Sequence, residues 1–383
     1  MTLRKKRIII DGEVLVMPHF SGIGHYTLEL IKAMDAKLVD HPNLDVRIFV
    51  HFRHVEKARA FGFNNIKIVR SPFSLRVSNG LKIRNKQLPL DLLFGKGIYV
   101  FPNYSSWPLL FSKSVPFIYD LSFEKYAEFA EPRNQAFLSE QVRKSAKRSS
   151  HIATISKNSK QEIHDFYKVP LDKIGIYYPA VDTNVFFKQT DQVIAAVKKK
   201  YGITGKYILF VGNIEPRKNL KNLLLAYEQL NETIRKEYSL LLVGAKGWQD
   251  GEIFDIIRRL QDAGDSVQRP KDYVEDKDLP AIYSGASVFV YPSIYEGFGI
   301  PPIEAMACGV PTIASDNSSL PEATGDAAQL INADDTVMIR DAIVRYLSDK
   351  DLTNSHVKKG AKQVAKFSWS KSAEDIINTL SRL

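Results

Sequence analysis

The stretch Tyr291–Ala314, YPSIYEGFGIPPIEAMACGVPTIA, constrains this chain more than any other. It opens at the end of an apolar strand, Val288–Tyr291. A glycine-containing turn follows, then a short helix that Pro301 and Pro302 can start and Gly309 can stop. A second strand begins near Pro311. Strand, loop, helix and strand in this order form a unit that binds ligands at the carboxyl ends of its strands. Glu296 falls in the loop and Glu304 in the first turn of the helix, with seven residues between them. Gly297 and Gly299 let the backbone approach a ligand without a Cβ in the way. The unpaired N–H groups of the helix favour an anion. Carboxylates are poor phosphate ligands but good acceptors for paired sugar hydroxyls. A ligand carrying both phosphate and polyol suits such a site. Two solvated glutamates around an ordinary turn, with Glu304 favoured by the helix dipole, would account for the same residues.

The rest of the chain runs through this rhythm twice. In the first half, strands read at Arg7–Asp11, Asp45–Val50, Lys67–Val69, Ile98–Phe101, Val115–Tyr119 and Ile174–Tyr177, with helical patterns between them. In the second half, Tyr207–Val211 and Tyr238–Val243 restart the alternation. The pattern predicts parallel α/β architecture. A loop holding Gly22 and Gly24 follows the first strand, and Leu28, Leu30, Ile31 and Met34 mark the helix after it. It lacks the third glycine of a dinucleotide fingerprint and is too long for a tight Rossmann turn. Asp120 follows a strand end at Tyr119, either as a cap for the loop or as an acceptor-side carboxylate. Arg217 and Lys218 come after Gly212 in a strand-to-helix turn. There the guanidinium fork and the ammonium point charge suit phosphate oxygens. Asp276-Lys277-Asp278 has a metal-binding D-x-D form. It precedes Leu279, Ala281 and Ile282 and reads better as a helix N-terminus.

With 383 residues, two domains are expected. No apolar run approaches the ~18 residues of a spanning helix. The single cysteine, Cys308, excludes a disulfide framework and a thiolate metal cluster, and points to the cytosol. The net charge of +10 is uneven: through Ala180 there are 28 Lys and Arg against 16 Asp and Glu. The excess is concentrated in His51–Val100, where Arg76, Lys82, Arg84 and Lys86 are among ten basic residues and only Glu56 and Asp91 are acidic. Such a surface attracts phosphorylated substrates, anionic membrane or nucleic acid, or is simply a solvated face. No nucleic-acid module pattern accompanies it. Leu81–Leu93, mixed apolar and basic, reads as a surface helix and turn or as an amphipathic piece on a membrane.

From Glu296 to Pro311 the chain resembles the signature of family-four glycosyltransferases of the GT-B fold, E-G-F-G-x-P-x-x-E-A-M-A-x-G-x-P. Gly212–Asn219 resembles that family's diphosphate-binding G-x-x-x-P-R-K-N, and Ser318-Ser319-Leu320-Pro321-Glu322 also matches it. Gly22 and Gly24 match a glycine-rich loop that covers the donor phosphate and the acceptor. Tyr273 and Val274 stand where the family has G-Y-V, a stretch that cradles the base; Asp272 replaces the glycine. Tyr119 stands where many members have a histidine near the donor sugar, and its hydroxyl could still bond a phosphate or sugar.

The resemblance implies two Rossmann-like domains facing across a cleft. Residues 1–182 would form an acceptor-binding domain and 200–366 a nucleotide-sugar-binding domain, with 367–383 crossing back to the first. It implies a retaining, metal-independent hexosyltransferase that needs no cofactor besides its nucleotide-sugar substrate. Arg217 and Lys218 would stabilise the leaving diphosphate, Glu304 would hold the ribose hydroxyls, and Glu296 would bind donor-sugar hydroxyls. Gly212, Gly297, Phe298, Gly299 and Ile300 would complete the donor site. Mannose from GDP-mannose is the first reading of the donor and a UDP-sugar the next. The acceptor would be a glycan or lipid-linked glycan, reached in the cytoplasm or at the inner face of an anionic membrane. A nucleotide-sugar binder without catalysis, or a sugar-nucleotide epimerase on two Rossmann domains, would share part of the pattern.

Overall fold

The computed structural model describes residues 5–17, 22–72, 77, 80–81, 87–129, 132–245, 247 and 251–383. Arg76, Lys82, Arg84 and Lys86 of the basic stretch lie outside them. The chain divides into two compact units, Met1–Pro179 with Ser368–Leu383, and Ala180–Phe367.

The first unit is built on a parallel sheet of β1 (Lys6–Asp11), β2 (Leu44–His51), β3 (Lys67–Ser71), β4 (Ile98–Phe101) and β5 (Lys113–Pro116), in the order β3-β2-β1-β4-β5. Ile8, Ile10, Ile48 and Val100 are almost wholly buried. They pack under helix Gly22–Lys37, which presents Leu30, Ile31 and Met34. The final helix, Trp369–Arg382, buries Ala373, Ile376, Ile377 and Leu380 in the same core. Side chains three and four apart share one helix face, and each large one contributes about 1.5–3 kcal/mol when removed from water.

Two expectations change here. The fifth strand ends at Pro116, not Tyr119. Phe117 N–H still donates to the Phe101 carbonyl, but Ile118 N–H donates to the Ala153 carbonyl. The chain has thereby changed partners, to β6 (Ile152–Thr154), which pairs with β7 (Ile174–Ile176). Gly22 and Gly24 lie in the first turn of a helix, not in a loop. The helix starts a turn earlier than Leu28 because Tyr26 is already part of its buried face. The Tyr26 hydroxyl donates to the Tyr177 carbonyl at 2.7 Å.

The second unit carries a six-stranded sheet in the order β10-β9-β8-β11-β12-β13. Its strands are β8 (Lys206–Val211), β9 (Tyr238–Val243), β10 (Val267–Gln268), β11 (Val288–Tyr291), β12 (Thr312–Ser315) and β13 (Ala328–Ile331). All ladders are parallel, and the central strands are apolar on both faces, as helices on both sides of a sheet require. Gly212 and Gly244 end β8 and β9 side by side. A Cβ on Gly244 would lie 1.9 Å from the Gly212 carbonyl oxygen, so only glycine lets these two turns meet. Among the described residues no helix is long and apolar enough to cross a membrane.

Candidate active site

β8 and β11 are neighbours, so the loops leaving their carboxyl ends come together. After β8, Pro216–Lys218 make one tight helical turn, and Asn219 follows with φ of 57°. The Asn219 amide donates to the carbonyls of Pro292 (3.1 Å) and Ala333 (2.6 Å). Ile294 N–H donates to the Arg217 carbonyl at 2.9 Å. These bonds fix the Arg217–Lys218 turn against the loop that carries Glu296.

The result is a compact charge cluster. Lys218 Nζ donates to Glu296 Oε1 at 2.5 Å and to the Tyr291 hydroxyl at 2.7 Å. Arg217 Nη1 donates to the Tyr295 carbonyl at 2.7 Å and lies 3.3 Å from Glu296 Oε2, while Nη2 donates to Glu215 Oε1 at 2.8 Å. Lys218 and Glu296 are both only 8% exposed. Burial pushes the Glu296 carboxyl up, but the Lys218 and Arg217 charges outweigh it and hold it at about 2. Burial draws Lys218 below its ordinary range, against the pull of Glu296.

The Glu296 backbone is pinned as well. Its N–H donates to Ser318 Oγ at 3.0 Å, and Ser319 Oγ lies 3.0 Å from the Glu296 carbonyl and 2.8 Å from that of Gly297. Gly299, at φ of 106°, then turns the chain into helix Ile300–Ala307. A Cβ there would lie 2.6 Å from Leu320 Cδ2. Pro301 and Pro302 carry no N–H, so the first turn offers an anion fewer N–H groups than an ordinary helix start.

Glu304 is the fifth residue of that helix and so stands in its second turn, not the first. The helix begins at Ile300, directly after the Gly299 turn and one residue before Pro301, and this moves Glu304 from the fourth position to the fifth. Its Oε2 accepts from the Tyr283 hydroxyl at 2.8 Å. Burial raises its carboxyl to about 7; the Tyr283 bond opposes the rise and the Asp276 charge adds to it. Phe298 is buried and meets the Phe367 ring edge-on at 5.0 Å. Tyr273 is 77% exposed in the loop beyond β10, and the adjoining Val274 is buried. Asp278 of the D-x-D sequence bonds Lys200 Nζ and the Tyr201 hydroxyl, each at 2.7 Å.

In the first unit, Tyr119 is buried and its hydroxyl donates to the Pro102 carbonyl at 3.0 Å, with Thr27 Oγ1 at 3.4 Å. It is a core residue, and the expectation that its hydroxyl could meet a phosphate or sugar is withdrawn. Asp120 Oδ1 accepts from Ser122 N–H (3.0 Å) and Ser122 Oγ (2.8 Å), a local turn just ahead of the short helix Ser122–Lys125.

Residues with a part in this geometry that carried no assigned role in the sequence include Glu215, Asn219, Tyr283, Tyr291, Ser318 and Ser319. Glu215, Asn219, Ser318 and Ser319 stand inside the matched motifs. Tyr283 and Tyr291 read as helix and strand residues, and only the charged partner beside each hydroxyl gives them away.

Comparison with solved structures shows the GT-B glycosyltransferase fold. A crystal structure of Anabaena HepE in complex with UDP and glucose aligns with a TM-score of 0.72, covering 99% of this chain and 100% of that one at 14% identity. The model of the family described as glycosyl transferases group 1 matches residues 193–363. The O-antigen chain mannosyltransferase B of Escherichia coli is 30% identical over 98% of this chain and 100% of its own length. The O-antigen chain mannosyltransferase RfbU of Salmonella typhimurium is 29% identical over 65% of each chain. The chain belongs to the group 1 glycosyltransferase family, as its two motifs led one to expect.

Proposed function

We propose that the protein is a retaining, metal-independent hexosyltransferase that moves mannose from GDP-mannose to a glycan or lipid-linked glycan. The observation that carries this reading is the Arg217–Lys218–Glu296 cluster at the carboxyl ends of β8 and β11. Breaking a glycosyl–phosphate bond builds negative charge on the leaving diphosphate and positive charge on the sugar. Arg217 and Lys218 stabilise the first, with N–H groups around Gly299 and Ile300. They do the work that a divalent cation does elsewhere. Lys218 has three N–H bonds and commits two of them to Glu296 and Tyr291, so a phosphate oxygen can take the third. Glu296, ionised and fixed, binds donor-sugar hydroxyls beside the developing positive charge. Glu304 accepts from the two ribose hydroxyls, Tyr273 and Val274 border the base, and Gly212 lets the diphosphate approach. In the first unit, Gly22 and Gly24 serve the donor phosphate and Asp120 the acceptor. The mannosyl donor rests on the two O-antigen chain mannosyltransferases among the relatives.

The test is transfer from labelled GDP-mannose to an extracted lipid-linked glycan, with Glu296→Ala, Arg217→Ala and Glu304→Ala beside the parent chain. Glu296→Ala is expected to slow transfer with nucleotide affinity retained, and the other two to weaken nucleotide binding. Parental rates in all three would remove the site assignment.

A further inference from the structure

The terminal torsion of a glutamate is broad, so the plane of its carboxylate is set by whatever bonds it. At Glu304 that partner is Tyr283, whose hydroxyl donates to Oε2 at 2.8 Å. A phenol has one proton to donate, and here it is spent on this carboxylate. The tyrosine itself cannot swing away. It is wholly buried, and its ring stands edge-on to Phe289 of β11 at 5.5 Å and to Phe186 at 6.1 Å. The helix that carries it, Leu279–Ser284, is tied down on either side of it. The Tyr207 hydroxyl donates to the Ile282 carbonyl at 2.7 Å, and Lys188 Nζ to the Ser284 carbonyl at 2.6 Å. Two carbonyls that a helix end leaves orphaned are thereby satisfied. The hydroxyl thus reaches Glu304 from a rigid support.

We infer that Tyr283 is a positioning residue for the nucleotide: its hydroxyl orients the Glu304 carboxylate so that the 2′- and 3′-hydroxyls of a ribose can donate to it together. The role rests on Glu304 as the ribose acceptor. An ionised carboxylate has about four lone-pair sites, so one bond from Tyr283 leaves room for both hydroxyls. The same bond favours the ionised form, which accepts without spending an oxygen on a proton of its own. It works against burial and the Asp276 charge, which raise the carboxyl to about 7. The nearby Cys308 thiol, pushed up to about 12 by burial, adds no charge at neutral pH.

The test is calorimetric titration of the full chain with GDP and with 2′-deoxy-GDP, below and above pH 7. Tyr283→Phe keeps the ring and removes the bond. It is expected to lower GDP affinity about tenfold and 2′-deoxy-GDP affinity much less. The ratio of the two affinities should recover as pH rises, because Glu304 without its donor still ionises; phosphate titration is common to both nucleotides and cancels. On a Glu304→Ala background, Tyr283→Phe should add no further loss. Parental GDP affinity in Tyr283→Phe overturns the inference. So do equal losses for both nucleotides at every pH, or a full further loss on Glu304→Ala, which would mark a tyrosine that only holds the fold. If Glu304→Ala alone weakens GDP and 2′-deoxy-GDP equally, the ribose assignment of Glu304 falls first and takes the inference with it.

Discussion

Lys218 Nζ and Glu296 Oε1 are 2.5 Å apart, and both side chains are buried in the second unit. Removing one partner strands the other. Lys218→Met is expected to destabilise the protein by about 3 kcal/mol. Adding Glu296→Gln should return most of that loss, because no unpaired buried charge then remains. Urea unfolding of the two single variants and the double variant measures the coupling. Simple additivity of the two losses would mean that the residues do not act as a pair.

Glu304 provides a pH test. Its folded-state value of about 7 lies above the ordinary 4.5, so between these values the folded chain binds more protons than the unfolded one. Stability from this group therefore falls as pH rises past 4.5 and reaches its floor above 7. Glu304→Gln should raise Tm at pH 8 by roughly 5 °C, with a gain that shrinks toward pH 5. The same variant should lose nucleotide affinity. A gain of equal size at all pH values would contradict the burial account of this carboxyl.

Tyr119→Phe separates a core role from a site role. The lost hydroxyl leaves the buried Pro102 carbonyl without this donor, at a cost of about 1–2 kcal/mol in unfolding free energy. Transfer by the folded enzyme should stay at the parental rate. A large drop in kcat with stability unchanged would return Tyr119 to the site.

Gly244→Ala should be among the most damaging single-methyl additions, since its Cβ would meet the Gly212 carbonyl at 1.9 Å and its φ is 154°. The expected loss is about 3 kcal/mol, with weakened nucleotide binding because the Gly212 turn leads into Arg217 and Lys218. Thermal unfolding and nucleotide titration read the two effects separately. Normal binding in a destabilised variant would show that the turn moves without disturbing the cations.

Much of this architecture is legible in the sequence because apolar strand cores and helix stripes are local patterns. Val288–Tyr291 and Tyr238–Val243 stand where their residues place them. The motifs carry the cluster, since Arg217, Lys218 and Glu296 fall in the two loops that adjacent parallel strands must bring together. What is not legible is pairing across the chain. Nothing near Tyr119 says that the Pro102 carbonyl accepts its hydrogen bond, and nothing near Pro116 says that the strand will trade β4 for β6. The position of Glu304 depends on where one helix begins, and the left-handed Gly299 turn decides that.

The central claim is that the second unit binds a nucleoside diphosphate through Arg217, Lys218 and Glu304. Its most direct test is thermal unfolding of the intact chain with GDP, UDP, ADP and dTDP in parallel, without and with excess EDTA. A ligand at ~100 times its dissociation constant adds about 2.7 kcal/mol to the state it binds. The account predicts a clear rise in Tm with GDP, unaffected by EDTA and lost in Arg217→Ala. No rise with any of the four nucleotides, or an equal rise in Arg217→Ala, would contradict it.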